Sequence, residues 1–104
     1  MNTREIFASL RNALEEARSQ QDSSIATSAA NSFGFVESDE SRNFTFAVRY
    51  SYTGSDGYSI VLNYRSYDPS GPFQNLPDIN KFSLTLVNGG SEEDSYSCSF
   101  EDPR

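Results

Sequence analysis

Phe44, Phe46, Val48, Tyr50 and Tyr52 alternate with Thr45, Ala47, Arg49 and Ser51, and the alternation resumes at Tyr58, Ile60, Leu62 and Tyr64. A helix would scatter these apolar side chains around its axis, whereas a strand places them all on one face. Two half-buried antiparallel strands are therefore predicted. The link Thr53-Gly54-Ser55-Asp56-Gly57 supplies glycines for positive φ and makes the pair a hairpin. Pairing Tyr52 with Tyr58, Tyr50 with Ile60, Val48 with Leu62 and Phe46 with Tyr64 keeps both apolar sets on the same side.

A second hairpin has the same logic. Phe82, Leu84 and Leu86 alternate with Ser83, Thr85 and Val87, and Tyr96, Cys98 and Phe100 alternate with Ser95, Ser97 and Ser99, across a turn through Asn88-Gly89-Gly90-Ser91. Leu86 would face Tyr96, Leu84 Cys98, and Phe82 Phe100. Ser32-Phe33-Gly34-Phe35-Val36-Glu37 is a further short strand candidate, with its glycine marking a bend.

Ahead of the strands, Ile6, Phe7, Leu10, Ala13, Leu14 and Ala17 follow the three-and-four spacing of one buried helical face, which predicts a helix over 3–20. Asn2 caps it and Glu5 reaches back in a variant of the capping box. Arg4, Arg11 and Arg18 form a solvated stripe, in which Arg11 and Glu15 make an (i, i+4) pair. Residues 21–31, mostly Gln, Ser, Ala and Thr around Ile25, read as a mobile polar connector. The sheet then occupies 32–101, interrupted by a Pro-rich loop at 68–79 that prolines bar from regular structure.

These elements give an α+β fold in which one N-terminal amphipathic helix packs on a five-stranded antiparallel meander sheet. The 104 residues form a single domain, long enough to bury about 65% of the unfolded surface. One helix is a small cover for five strands, so the sheet must curl strongly around it or bury its leftover face against a second copy or a partner. The other face carries Thr45, Arg49, Ser51, Asn63, Arg65, Ser83, Thr85, Ser97 and Ser99 and is polar.

Composition narrows function by exclusion. The net charge of -7 repels phosphate backbones and anionic lipid, so neither direct nucleic-acid binding nor membrane binding is expected, while a partner protein with a basic patch is. Cys98 is the single cysteine, which excludes an internal disulfide and suits a reducing compartment; its phase with Tyr96 and Phe100 makes it a buried structural thiol. The N-terminus has no apolar stretch of signal-peptide length and no run nears the roughly 18 residues of a membrane span, so a soluble, cytoplasmic protein is expected. The sequence contains no histidine, no Gly-x-Ser-x-Gly elbow and no phosphate loop, and the chain is read as non-catalytic, with no cofactor. Glu37-Ser38-Asp39-Glu40 and Glu92-Glu93-Asp94 are oxygen-rich but lack the calcium-loop pattern, so they read as solvated turn charges and no metal is expected.

What the topology does with the acids is more informative. Alternate connections of a meander fall at the same end of the sheet, which gathers Glu37, Asp39 and Glu40 with Asp68 and Asp78 of the loop and with Glu101 and Asp102. Asp56 and Glu92-Glu93-Asp94 fall at the opposite end. A carboxylate rim tempered by Arg42 and Arg104, with Phe73 and Leu76 of the Pro-rich loop as apolar anchors, is the expected partner-binding site. The expected function is a small protein-binding module or inhibitor that engages a basic surface; a phage anti-defence (anti-CRISPR-like) inhibitor of a nucleic-acid enzyme is one concrete form. The alternatives are a self-assembling subunit that forms a homodimer through the sheet, and a carrier of a small apolar ligand held between helix and sheet.

Overall fold

The computed structural model describes residues 1–43, 45–67 and 78–103. Two helices, α1 (Thr3–Gln20) and α2 (Ser23–Ser32), precede five strands, β1 (Val36–Asp39), β2 (Thr45–Thr53), β3 (Tyr58–Tyr67), β4 (Ile79–Asn88) and β5 (Ser91–Glu101). The strands form one open antiparallel sheet in the order β1-β2-β3-β4-β5, so every connection is a meander step and β1 and β5 are the edges.

The helix read over 3–20 is present with the same bounds, and its capping box is formed. The Glu5 backbone N–H donates to Asn2 Oδ1 at 2.9 Å, and the Asn2 N–H donates to Glu5 Oε1 at 3.0 Å. Ile6, Phe7, Leu10, Leu14 and Ala17 are buried under it. Arg11 does not pair with Glu15; its guanidinium reaches Asp94 on β5 at 2.7 Å, which ties the helix to the sheet edge.

Residues 21–31 are not a polar connector. They contain most of α2, which turns back after Gln21 takes a left-handed φ of 52°. Asp22 caps α2 by accepting from the Ser24 N–H and hydroxyl at 3.0 and 2.7 Å. Ile25, Ala26, Ala29, Ala30 and Phe33 recur at three-and-four spacing, and Ala26 and Ala30 are fully buried. Alanine lets a helix approach closely, so α2 buries its stripe with little bulk, and the serines between are its wet side.

The strand expected at Ser32–Glu37 starts later. Phe33 is the C-cap of α2, Gly34 turns at φ +81°, and Phe35 stacks on Tyr52 with centroids 5.2 Å apart before β1 begins at Val36. Both hairpins pair two residues away from the expected register. Tyr52 faces Ile60, Tyr50 faces Leu62, Val48 faces Tyr64 and Phe46 faces Ser66, because strand pairing runs up to Thr53 and Ser59 and the turn closes with Gly54 N–H donating to the Tyr58 carbonyl at 2.8 Å. A slip of two leaves every side chain on its face, which is why the pattern was right and the partners were not.

In the second hairpin Leu84 faces Tyr96, Phe82 faces Cys98 and Asn80 faces Phe100. The turn is a tight one, with Gly89 and Gly90 at φ +58° and +87°, as the two-residue hairpin turn with two positive φ values requires. Carried on unchanged, that turn would bring Ser95 opposite Leu84 and put the serines inside. A bulge opposite Leu86/Val87 takes up one residue and returns Tyr96, Cys98 and Phe100 to the core face.

The core lies between the helices and this face, with Leu10, Leu14, Ile60, Leu62 and Leu84 fully buried. At the end of the core, rings from four strands stack in a ladder Phe46-Tyr64-Phe82-Phe100, with centroids 5.7, 4.4 and 6.0 Å apart. The opposite sheet face is polar and uncovered by either helix, as the alternation predicts.

Candidate functional site

The meander brings the β1–β2 turn, the start of β4 and the end of β5 to one end of the sheet. Glu40, Asp78, Glu101 and Asp102 fall at or near that end, where Asp102 N–H donates to the Asp78 carbonyl at 3.0 Å; Asp39, opposite Val48, lies further in, and Glu37, opposite Tyr50, lies in the middle of the sheet. Asp68, Phe73 and Leu76, with the rest of the Pro-rich loop, lie outside the described residues, as does Arg104.

Among the described residues these acids form two groups. Adjacent strands are about 4.8 Å apart, so the β1 group and the β4–β5 group stand about 15–20 Å from each other, more than a Debye length at physiological salt. Within the first group the register places Glu37 and Asp39 on the side of Tyr50 and Val48. Burial, with Glu37 beside it, pushes the Tyr50 phenol up. Ser41, through its hydroxyl and its backbone N–H, holds the Asp39 carboxyl below the usual carboxylate range. Glu40 is exposed, and its N–H donates to the Ala47 carbonyl at 2.8 Å.

In the second group Asp78 and Glu101 are exposed, but Asp102 is committed to the fold. Its Oδ1 accepts from Asn80 Nδ2 at 2.6 Å, and Asn80 Oδ1 accepts from the Tyr64 hydroxyl at 2.7 Å. Asn80 is 1% exposed and stands in phase with Phe82, Leu84 and Leu86. A polar residue at an inward-facing strand position is the sequence signal for this network.

The uncovered sheet face meets the acidic end with the opposite charge. Arg65 lies directly across from Lys81, and Arg49 lies across from Asn63 in the next row. Like charges facing each other on neighbouring strands cost stability rather than supply it. A recess of about 370 Å³ beside them is lined by Glu40, Arg42, Asn63 and Arg65 among others, and a shallower one of about 740 Å³ runs over Lys81, Ser83, Ser97 and Ser99 to Arg18. Phe46 is half exposed, at 51%. At the far end Asp56 accepts from the Thr3 hydroxyl at 2.8 Å and from the Thr3 and Tyr58 N–H groups, so it secures the start of α1 to the β2–β3 turn.

Cys98 is buried, and burial pushes its thiol up. Among the described residues no three His, Cys, Asp or Glu side chains gather as a metal ion would need, and no helix is long and apolar enough to cross a membrane. Comparison with protein-family models, with curated proteins and with solved structures returns no match.

Proposed function

We propose that this chain is a small non-catalytic protein-binding module that engages a basic surface of a partner protein with the acidic end of its sheet. What supports this reading is the exposure of Glu37, Asp39 and Glu40 along β1 and its turn, and of Asp78 and Glu101 at the end of the sheet to which that turn leads. Carboxylates on a rigid sheet attract a cationic partner over nanometre distances and fix its orientation on contact. An inhibitor that fills the phosphate-binding groove of a nucleic-acid enzyme, as phage anti-defence proteins do, is one form of such a module. A single buried thiol and no disulfide suit work in the cytoplasm.

The test compares two charge reversals of equal size. Glu37→Lys, Asp39→Lys and Glu40→Lys together are expected to abolish binding to a lysine-rich peptide, measured by fluorescence anisotropy at low salt. Reversal of Glu92, Glu93 and Asp94 at the opposite end changes net charge as much and is expected to leave most of the affinity. Equal losses in the two variants would mean that net charge alone attracts the peptide, and the reading would fall.

A further inference from the structure

We propose that the outer edge of β5 is a strand-addition site, where an extended segment of the partner with basic residues at its two ends pairs with Ser95–Glu101. This rests on the reading above only in taking the partner to be a basic protein; it adds a second contact on the edge opposite Glu37, Asp39 and Glu40, made by an extended segment and separate from the one that the lysine-rich peptide tests. Which backbone groups β5 leaves free follows from two hydrogen bonds. In an antiparallel pair, alternate residues spend both their N–H and C=O on the neighbouring strand and the residues between point both groups away. Asp102 donates its N–H to Asp78 on the β4 side, while the Glu101 carbonyl is met from elsewhere, by Gln21 Nε2 at 3.0 Å. Counting back by twos, Phe100, Cys98 and Tyr96 face β4, and Ser99 and Ser97 display their N–H and C=O groups along the free edge, while at Ser95 the N–H donates to Asp94 Oδ1 at 2.8 Å and the C=O stays open.

That edge is unguarded. Sheets protect edges with lysine, proline, bulges or brevity, and β1 has brevity, being four residues long. From Ser95 to Phe100, β5 has none of these, and its bulge lies earlier, opposite Leu86/Val87. Ser95, Ser97 and Ser99 are exposed and too small to screen the backbone.

Charge decides the occupant. Glu92 and Glu93 stand at one end of the stretch, beside an Asp94 already paired with Arg11 at 2.7 Å, and Glu101 stands at the other. A second copy pairing antiparallel about Ser97 would set Glu93 against Glu101 twice, and a parallel arrangement would set each acid against itself. Both are repulsive, so the edge refuses its own kind. A segment with a cation at each end meets an acid at both. Arg18 and Lys81 flank the recess at Ser97 and Ser99, which keeps the cations out of the middle.

The probe is a nine-residue peptide, Lys-Val-Thr-Val-Thr-Val-Thr-Val-Lys, whose threonines would lie opposite Ser95, Ser97 and Ser99 and whose terminal lysines would reach Glu93 and Glu101. Its affinity is measured by isothermal titration against three relatives: one N-methylated on the threonine amides, one on the valine amides, and one with glutamate ends. Strand addition directs only the threonine amides at β5, so methylating them is expected to weaken binding at least about tenfold, while methylating the valine amides changes it less than about twofold. The glutamate-ended peptide is expected not to bind. In the protein, Ser97→Pro removes an N–H that β4 does not use and is expected to weaken the parent peptide as much, with the fold checked by circular dichroism. Equal affinity of the two methylated peptides would overturn strand addition and leave the acidic reading standing. Binding of the glutamate-ended peptide, or a salt-resistant dimer by light scattering, would overturn the basic segment as occupant. Reversal of Glu37, Asp39 and Glu40, on the far edge, leaves the peptide's affinity within about threefold if the edge binds it; a collapse there would return the contact to the other acidic group.

Discussion

Replacing Asn80 should expose how much of the fold hangs on one buried polar side chain. Its amide holds Asp102 at 2.6 Å and the Tyr64 hydroxyl at 2.7 Å. A neutral hydrogen bond is worth about 1 kcal/mol net and one to a charged group about 1.5–3 kcal/mol. Asn80→Ala loses both, but Asp102 is only half-buried and regains water, so the expected cost is about 2–3 kcal/mol. Against the roughly 5–15 kcal/mol typical of a domain, that lowers Tm by about 10–20 °C. Asn80→Asp is nearly the same shape and should be worse at neutral pH, because it buries a carboxylate against a carboxylate, at about 3–5 kcal/mol. The pH sign separates the two variants. The new carboxyl has its folded pKa raised by burial and by its neighbour, so the variant's deficit is small below the unfolded value of about 3.9 and grows as pH rises above it. Asn80→Ala should show no such growth. Urea denaturation followed by circular dichroism between pH 3.5 and 7.5 reads both (assay range chosen about the carboxylate pKa). A loss under about 0.5 kcal/mol for Asn80→Ala, or a deficit for Asn80→Asp that does not change with pH, would refute the network as a structural tie.

Three further outcomes are expected. Thr3 and Tyr58 hold the Asp56 carboxyl below its ordinary value, with the Thr3 hydroxyl foremost, so it contributes stability above the unfolded pKa that is lost as pH falls through the folded one; Asp56→Asn should flatten the acid limb of the urea midpoint against pH. Gly54→Ala places a Cβ against Thr3 Oγ1 and Asp56 Oδ1 and should cost about 1–3 kcal/mol, and a Gly54→Ala, Thr3→Ala double variant should lose less than the sum of the two singles in thermal melts. Cys98 should react slowly with an aromatic disulfide reagent in the folded protein and at the rate of a free thiol in urea, because burial both shields the sulfur and raises its pKa; fast reaction without denaturant would contradict its place under α1.

The sequence declared its strands through alternation and α1 through spacing and a cap, because each of those patterns has one structural use. Strand register was legible only modulo two: an even slip leaves burial unchanged, and the turn geometry that selects among even slips depends on two glycine φ values and one bulge that composition does not encode. α2 was hidden by its own economy. Its stripe is mostly alanine, which weighs little in a count of apolar residues, yet Asp22 and the spacing of Ile25, Ala26, Ala29, Ala30 and Phe33 spelled a capped helix. Meander topology alone placed Asp78, Glu101 and Asp102 at one end of the sheet, but it carried Glu37 there too, whereas the four residues of β1 pair with Val48–Ser51 and not with the start of β2. The division of the acids into two groups was not legible, since that needs the width of the sheet, and neither was the withdrawal of Asp102 into the Asn80 network.

The two helices change what the sheet must do. With one helix, five strands would leave apolar surface to curl inward or to bury in a dimer. α2 closes the remaining part of the core face with Ala26 and Ala30, so the fold needs no second copy to bury its interior. Among the described residues, what is left open is a mostly polar far face, the backbone of the β5 edge, and the side chains of Val36 and Phe46. A surface of that kind gains little from hydrophobic burial and is specific instead through hydrogen-bond direction and charge. If β5 takes an added strand as proposed, the acids at its ends serve two purposes at once: they disfavour a second copy on the same edge and favour a cationic strand there. Lysines at the same positions would disfavour the same self-association but favour an acidic strand, so on this proposal the sign of the charges at the strand ends sets the choice of partner.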